Sequence, residues 1–165
     1  EPDIYEDDRG FFLETFEIEK YKKDAGIDLP FVQDNYSRSK KGVLRGLHFQ
    51  KNHPQGKLVR VVRGSVFDVA VDLRINSPTY GEWESIELSE NNKKQFWIPP
   101  NFAHGFLVTS DIADFEYKCT NSYHPNDEGC IIWNDLYLNI TWPTIDPILS
   151  TKDMNGKKFK EINNA

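Results

Sequence analysis

The chain has 165 residues, of which 38% are hydrophobic and 13% aromatic. This composition provides for one well-formed core, so we expect a single domain over residues 1–165. The net charge of −6 argues against nucleic acid or an anionic membrane as a partner of the whole surface. No apolar run reaches the roughly eighteen residues of a membrane span, and no basic-then-apolar leader opens the chain. Its two cysteines form no C-x-x-C pair, so we expect free thiols and a cytoplasmic protein.

The predicted elements are mostly short strands. The first element is a helix over residues 17–25, which Gly26 ends, and a second helical turn is expected to open at Ser150. Between them, apolar and polar residues alternate in runs that turn signals separate. These runs cover residues 57–63, 65–73, 83–88, 95–98, 105–109, 113–120 and 130–133. Short strands at this spacing predict an all-β sandwich or barrel with peripheral helices, over which segment 142–147 is expected to wrap.

The run over residues 65–73 alternates most regularly. Its odd-numbered positions are expected on one face of a strand and its even-numbered positions on the other. The first face carries Phe67, Val69, Val71 and Leu73, and the second carries Val66, Asp68, Ala70 and Asp72.

A cationic stretch interrupts the acidic background. Residues 38–63 contain eight basic side chains and no acidic one, whereas the rest of the chain holds 12 basic and 26 acidic residues. A local cationic field on an acidic protein favours a small anionic ligand over a polymer. Three of its lysines, Lys40, Lys41 and Lys51, are interpreted as solvated surface residues.

The four histidines do not form the usual metal pattern of a β-barrel. Such a site needs two histidines one residue apart on a strand, with a carboxylate and a third histidine nearby. No H-x-H sequence occurs among His48, His53, His104 and His124. We therefore expect no metal, which disfavours a metal-dependent oxygenase.

His48 is the strongest candidate for a general base. A histidine in a strand is more often a satisfied structural residue, but His48 lies inside the cationic stretch. Alternation places Leu44, Gly46, His48 and Gln50 on one face, and Gly46 is expected to give a ligand close access.

Tyr117 and Lys57 are further candidates. Alternation directs Phe115, Tyr117 and Cys119 inward, where the tyrosine either fills the core or acts as a proton donor opposite a histidine. Lys57 follows Gly56 at the start of a strand and is either a surface residue or, if it points inward, a cation suited to an enolate oxygen.

Several segments closely resemble the dTDP-4-dehydrorhamnose 3,5-epimerase family, in order and over nearly the whole chain. The matching segments are Asp7-Asp8-Arg9-Gly10-Phe11-Phe12, Phe31-Val32-Gln33-Asp34-Asn35, Gly42-Val43-Leu44-Arg45-Gly46-Leu47-His48-Phe49-Gln50, Gln55-Gly56-Lys57-Leu58-Val59-Arg60, Phe67-Asp68-Val69-Ala70-Val71-Asp72-Leu73-Arg74, Ile98-Pro99, Phe102-Ala103-His104-Gly105-Phe106, Ile132-Trp133-Asn134-Asp135 and Ser150-Thr151-Lys152-Asp153.

The resemblance implies a cupin-type antiparallel β-barrel, or jelly roll, that works as a homodimer without a metal or other cofactor. It implies the substrate dTDP-4-dehydro-6-deoxy-D-glucose and the product dTDP-4-dehydro-L-rhamnose, in dTDP-L-rhamnose-type biosynthesis. The family usually has another strand's worth of residues before the position of Glu1, so exchange between subunits is expected to be impaired here.

The resemblance also assigns roles to residues. It implies His48 as the base, oriented by Asp153, with Tyr117 as the acid and Lys57 stabilising the enolate. Asp153 has a second interpretation, because Ser150-Thr151-Lys152-Asp153 is also a capping box. The implied nucleotide and pyrophosphate contacts are Arg9, Glu14, Gln33, Asn35, Arg45, His104, Glu128 and Lys152, with Phe12 and Tyr123 near the nucleobase. Of these, Arg9, Phe12 and Glu14 are expected to reach the partner subunit's site.

Other functions remain open at this point. The nearest alternatives are a C3-only or C5-only epimerase and a 3,4-ketoisomerase of a related dTDP-sugar, although Tyr117 favours double epimerisation. A non-catalytic nucleotide-sugar binding barrel is a further alternative. The joint presence of His48, Tyr117 and Lys57 argues against it.

Overall fold

The computed structural model describes residues 1–162. The strands are β1 (Ile4–Asp7), β2 (Gly10–Leu13), β3 (Gln33–Lys40), β4 (Leu44–Gln50), β5 (Lys57–Arg63), β6 (Ser65–Asp72), β7 (Trp83–Ser89), β8 (Gln95–Ile98), β9 (Phe102–Val108), β10 (Ile112–Cys119) and β11 (Glu128–Cys130). The α-helices are α1 (Ile18–Ala25) and α2 (Thr151–Met154), with 3₁₀ turns at Pro125–Asp127 and Phe159–Glu161. No helix within residues 1–162 is long and apolar enough to cross a bilayer.

Two antiparallel sheets face each other and form the barrel. The four-stranded sheet has the order β3-β10-β5-β8, and the five-stranded sheet has the order β11-β4-β9-β6-β7. Between them lies an inner core to which Val59 and Phe115 contribute from the first sheet, and Val66 and Phe106 from the second. The expected all-β barrel with short peripheral helices is confirmed.

Strand β6 is buried on both faces. Val66 and Ala70 pack into the inner core, while Val69 and Val71 pack into an outer core on the other side of the same sheet. The predicted alternation of this strand is therefore confirmed. Burying a valine side chain contributes roughly 1.5–3 kcal/mol, so both faces add to stability.

The outer core is covered by the C-terminal part of the chain. Trp142 and Phe159 are buried against the five-stranded sheet, and Ile148 forms a parallel bridge with Val43 at the start of β4. Trp142 donates a hydrogen bond from Nε1 to the carbonyl of Trp133, 2.8 Å away. Of segment 142–147, which was expected to wrap over the barrel, Trp142 packs on the sheet, whereas Ile145 is 95% exposed.

Both predicted helical segments are confirmed. Glu17 caps α1 by accepting hydrogen bonds from the backbone amides of Glu19 and Lys20, and Gly26 ends the helix in the left-handed conformation with φ 67°. Ser150 caps α2 by accepting a hydrogen bond from the amide of Asp153. Both ends therefore satisfy backbone groups that a short helix leaves unpaired.

The predicted strands are confirmed except at one place. The runs over residues 57–63 and 95–98 match β5 and β8, and the others differ from the observed strands by a few residues at their ends. The strand predicted over residues 130–133 is wrong, because β11 ends at Cys130. After it, Ile131 is fully buried in the outer core and forms a bridge with Lys157. The apolar run at 131–133 therefore reflects packing of the C-terminal segment.

Substitution of Phe159 tests whether the C-terminal segment stabilises the barrel. Its ring is 1% exposed and packs between Tyr80 and Tyr137, with centroid distances of 5.1 and 5.3 Å. We expect Phe159→Ala to lower the free energy of unfolding by about 3–5 kcal/mol, measured by urea denaturation. Leu136→Ala, at a side chain that is 95% exposed, should change it by less than about 0.5 kcal/mol. Equal effects would contradict this role of the segment.

Candidate active site

A cavity of about 350 Å³ opens at one end of the barrel, where the inner strand faces become polar. Along β5, β9 and β10, inward positions change from the apolar Val61, Val108 and Ala113 at one end to Lys57, His104 and Tyr117 at the other. The cavity is lined by Gln33, Asn35, Ser37, Arg45, His48, Gln55, Lys57, His104, Phe106, Phe115, Tyr117, Tyr123, Glu128 and Lys152. The structure thus brings together ten of the fourteen residues that the resemblance implied.

The floor of the cavity is aromatic. Phe106 and Phe115 are buried and stacked, with ring centroids 4.2 Å apart and an interplanar angle of 16°. A stacked pair of this kind contributes about 0.5–1.5 kcal/mol beyond its buried area. The polar side chains of the cavity therefore lie above a tightly packed aromatic pair. Phe115 and Cys119 are buried and Tyr117 lines the cavity, so their predicted inward direction is confirmed.

The faces of β4 do not follow simple alternation. The register between β4 and β9 shifts between Arg45 and His48. As a result, Arg45 and His48 both line the cavity, whereas Leu44 and Leu47 both pack into the outer core. The prediction that Leu44 shares the face of His48 is therefore wrong.

Gly46 has a different role from the predicted one. A Cβ atom there would lie 2.5 Å from the Cα of Gly105 and 2.9 Å from the carbonyl oxygen of His104, and its φ is +134°. These are backbone atoms of β9, so the glycine permits two strands to approach each other closely. The expectation that it gives a ligand close access is wrong.

His48 is held by a carboxylate from the C-terminal helix. Its Nε2 lies 2.6 Å from Oδ1 of Asp153, while Ser150 Oγ donates to Oδ2 of the same carboxylate at 2.7 Å. Burial alone raises the pKa of Asp153, but the hydrogen bonds with His48 and Ser150 outweigh burial and bring the pKa below its usual value. An ionised Asp153 fixes the ring and tautomer of His48 and leaves Nδ1 to meet a substrate. Asp153 therefore serves both as helix-capping residue and as histidine partner.

Tyr117 lines the cavity with a protonated hydroxyl. Burial, together with the nearby Cys119, raises the pKa of Tyr117, so the phenol is neutral at pH 7. No group in the described part of the chain hydrogen-bonds this hydroxyl. The alternative of a core tyrosine whose hydroxyl is tied to a partner does not fit this arrangement.

Lys57 points into the barrel at the start of β5, which excludes the alternative of a surface lysine. Burial lowers the pKa of Lys57, and the nearby Cys119 and Asp68 oppose that shift. A compact cation inside a low-dielectric cavity interacts strongly with any negative charge that develops there.

His104 belongs to a second histidine–carboxylate pair, and the sequence pattern did not predict its partner. Its Nε2 lies 3.0 Å from both carboxylate oxygens of Asp68, on the neighbouring β6. Burial lowers the pKa of His104 and raises that of Asp68, and their hydrogen bond opposes both shifts. The sequence did contain a sign of this pair. Asp68 shares a strand face with Val66 and Ala70, and a carboxylate on a buried face requires a buried partner.

The rim of the cavity carries a chain of polar contacts. Glu128 accepts hydrogen bonds from the Tyr123 hydroxyl at 3.0 Å and from Lys152 Nζ at 2.8 Å. Gln33 accepts a bond from the backbone amide of Tyr123 at 2.9 Å and donates to Asn35 Oδ1 at 3.0 Å. Through Glu128, these contacts hold the exposed ring of Tyr123 and the ammonium group of Lys152 close together at the entrance of the cavity.

Three implied residues lie away from this cavity. Arg9 and Phe12 are exposed on the β1–β2 hairpin and Glu14 follows it, and none of them lines the cavity of its own chain. That these three residues reach the site of a partner subunit stays a prediction.

The residues described contain one cluster that could hold a metal ion, formed by His48, Cys130 and Asp153. Cys130 is a free thiol, as expected for both cysteines, and burial raises its pKa to about 12. A metal ion at this cluster would have to displace the thiol proton and separate the histidine from the carboxylate that it contacts.

A carboxylate-oriented histidine, a neutral tyrosine and a lysine around one cavity define an acid–base enzyme that moves protons at carbon next to a carbonyl group. Comparisons with known proteins agree. The family described as dTDP-4-dehydrorhamnose 3,5-epimerase matches residues 1–161. A curated relative of that name from Shigella flexneri is 54% identical over 160 residues, which cover 96% of this chain and 88% of the relative.

Solved structures give the same result. A dTDP-6-deoxy-D-glucose-3,5-epimerase from Legionella pneumophila, in complex with dTDP-4-keto-L-rhamnose, is 55% identical with a TM-score of 0.95, covering 98% of this chain and 86% of that one. A 3'-monoepimerase from Streptomyces bikiniensis, in complex with dTDP-quinovose, is 34% identical with a TM-score of 0.92, covering 99% and 83%. The chain belongs to the dTDP-4-dehydrorhamnose 3,5-epimerase family, and thus to the isomerases.

The link between Asp153 and His48 gives a direct prediction. Asp153→Asn keeps a capping side chain but removes the charge that orients the imidazole, so we expect kcat/KM to fall by about 10²–10⁴-fold. Ser150→Ala is the matched control, because it removes one hydrogen bond to the carboxylate and leaves its charge. The control should lose about 1 kcal/mol of stability and only a few-fold of activity. Similar activity losses in both variants would contradict the role of the charge.

Proposed function

We propose that this protein inverts C3 and C5 of dTDP-4-dehydro-6-deoxy-D-glucose and forms dTDP-4-dehydro-L-rhamnose. The observation that carries the proposal is the 2.6 Å contact between His48 and Asp153, in a cavity that Tyr117 and Lys57 also line. The family, defined by a match over residues 1–161, supplies the reaction class and the substrate. The reaction belongs to dTDP-L-rhamnose-type biosynthesis.

The chemistry begins with proton removal by His48. A ketone at C4 acidifies the hydrogens at both C3 and C5, so one base serves both carbons. Nδ1 of His48 takes the proton, and the ionised Asp153 stabilises the imidazolium that results. General acid–base groups of this kind contribute roughly 10²–10⁴-fold each.

The negative charge then moves from carbon to O4. Lys57 lies in the same cavity and stabilises the enolate that forms, without forming a bond to it. Tyr117 returns a proton to the opposite face of the carbon, which inverts its configuration, and regains a proton from solvent. His48 releases the proton that it removed to solvent and becomes a free base again. The same sequence at the second carbon completes the double epimerisation.

The nucleotide diphosphate binds at the cationic rim. Arg45 and Lys152 provide positive charge at the cavity, and Tyr123 offers an exposed ring for the thymine base. Gln33, Asn35, His104 and Glu128 supply further polar contacts. The cationic stretch of the sequence thus contributes Arg45 and Lys57, one for binding and the other for catalysis.

The active assembly is a homodimer in the cytosol. The β1–β2 hairpin exposes the apolar side chains of Tyr5, Phe11 and Phe12, which are 59–68% exposed in one chain. Burial against a partner would remove these rings from water. In that arrangement Arg9, Phe12 and Glu14 of one subunit complete the cavity of the other.

Single epimerisation is the second candidate function. It is favoured by the likeness to the Streptomyces bikiniensis 3'-monoepimerase, which is 34% identical. The 3,5-epimerases from Shigella flexneri and Legionella pneumophila are 54% and 55% identical, and this difference supports double epimerisation.

Tyr117→Phe separates the acid from the base. The substitution deletes one hydroxyl and keeps the ring, so packing should change little. In deuterium oxide the variant should still incorporate deuterium into the substrate, because His48 returns a proton to the original face. Inversion at C5 should fall by about 10²–10⁴-fold. Mass spectrometry counts the deuterons and NMR assigns each configuration. Wild-type amounts of fully inverted product would eliminate Tyr117 as the acid, and a wild-type enzyme that inverts only C3 would establish single epimerisation.

Arg45→Ala tests the anionic ligand. We expect this variant to bind dTDP more weakly and with a smaller dependence on salt, because a charge-assisted contact with the diphosphate is lost. Lys41→Ala is the control within the same cationic stretch, because Lys41 is exposed and lies outside the cavity. Isothermal titration calorimetry at two salt concentrations measures both effects. Unchanged affinity and salt dependence in the Arg45 variant would remove Arg45 from the binding site.

A further inference from the structure

Cys130 lies beside the His48–Asp153 pair but takes no part in the proposed mechanism. Its Sγ is 3.9 Å from Oδ1 of Asp153, which is the oxygen that contacts His48. One nitrogen, one sulfur and one carboxylate oxygen thus lie within 4.8 Å of one another. This set of donors includes a sulfur atom, which the residues that line the active-site cavity do not supply.

We propose that His48, Cys130 and Asp153 form an inhibitory binding site for zinc-class divalent cations. Zinc is bound tetrahedrally by imidazole nitrogen, thiolate sulfur and carboxylate oxygen, whereas magnesium and calcium prefer oxygen ligands alone. Three protein ligands leave a fourth position for water. The claim that the cation inhibits rests on the proposed role of His48 as the base. The claim that the cation binds does not depend on that role.

The geometry requires only small movements. Tetrahedral zinc with ordinary bond lengths places its nitrogen and oxygen ligands about 3.3 Å apart and its sulfur and oxygen ligands about 3.6 Å apart. The His48–Asp153 contact of 2.6 Å would therefore open by about 0.7 Å, and the Cys130–Asp153 separation of 3.9 Å would close by about 0.3 Å. Ser150 holds the other oxygen of Asp153 and keeps Oδ1 directed at the site.

Proton balance explains why occupation would inhibit. The cation forms a bond to Cys130 Sγ and releases the thiol proton to solvent. It also bonds Nε2 of His48, and the hydrogen of that nitrogen moves to Nδ1. The imidazole remains neutral, but the lone pair that should accept the substrate proton is then occupied by hydrogen.

A path to the site exists from solvent. Cys130 lines a second cavity of about 480 Å³, which shares Glu128 and Lys152 with the rim of the first one. A cation therefore has access to the sulfur without passing through the nucleotide site.

One competing cation site has to be separated in the test. His53 Nδ1 lies 3.1 Å from Asp127, and its ring stacks on that of His124 with centroids 3.9 Å apart. These two imidazoles lie outside the active-site cavity, so His53→Gln removes that site without altering the cluster at Cys130.

The experiment combines inhibition with direct binding. Initial rates of the wild type and of Cys130→Ser, His53→Gln and Cys119→Ser are measured against Zn²⁺, with Mg²⁺ as the control ion, and each variant is compared with its own uninhibited rate. We expect Zn²⁺ to inhibit the wild type reversibly, with recovery on adding a chelator, and Mg²⁺ to have no effect. Cys130→Ser should retain activity and need roughly 10–100-fold more Zn²⁺ for inhibition, while His53→Gln and Cys119→Ser should behave as the wild type does.

Cadmium binding gives a readout that does not depend on activity. Cd²⁺ should produce a thiolate charge-transfer absorption band in the wild type and in Cys119→Ser, and no such band in Cys130→Ser. The absence of this band from the wild type would overturn the metal site, whatever reaction the enzyme performs. Loss of zinc inhibition in His53→Gln would assign the effect to the stacked imidazoles of His53 and His124 and would also overturn the proposal.

Discussion

The hydrogen bond between His48 and Asp153 is the interaction on which the rest of the site depends. It joins residues 105 positions apart in the sequence, on β4 and α2, across a distance of 2.6 Å. A bond between such distant residues exists only if the C-terminal segment is fixed on the barrel, which requires the outer core around Trp142 and Phe159. Folding energy from that core therefore positions the carboxylate that contacts His48.

A second constraint is that the five-stranded sheet is covered on both sides. Its outer face supports the C-terminal segment, and its inner face is apolar at one end and polar at the cavity. Burying polar groups costs free energy unless they are paired, and the structure meets this cost with His48–Asp153 and His104–Asp68. No buried side-chain nitrogen or oxygen of the described residues lacks a hydrogen-bond partner. Lys57 and Tyr117 remain directed at the space where a substrate would lie.

The sequence predicted strands such as β5 and β6 because they are short apolar runs that turn signals bound on each side. It missed β3, since the inward residues of that strand are Gln33, Asn35, Ser37 and Ser39, which are as polar as the outward ones. The faces of β4 were mispredicted because the register shift after Arg45 depends on β9, a strand remote in sequence. The partnership of Asp153 with His48 came from family resemblance, since local pattern alone indicated only a capping box. The pairing of Asp68 with His104 could not be predicted either, because the two residues lie on different strands and meet only when β6 and β9 pair.

The most direct test of this account is position-resolved solvent exchange in His48→Asn. The substrate dTDP-4-dehydro-6-deoxy-D-glucose is incubated in deuterium oxide with the wild type or the variant, and NMR measures deuterium at C3 and C5 separately. The account predicts incorporation at both carbons with the wild type and at neither with the variant. Calorimetry should give nearly unchanged affinity for dTDP in the variant, because the imidazole is needed for proton removal and not for binding the nucleotide. Substantial exchange at either carbon in His48→Asn would contradict the claim that one histidine serves as the base at both centres.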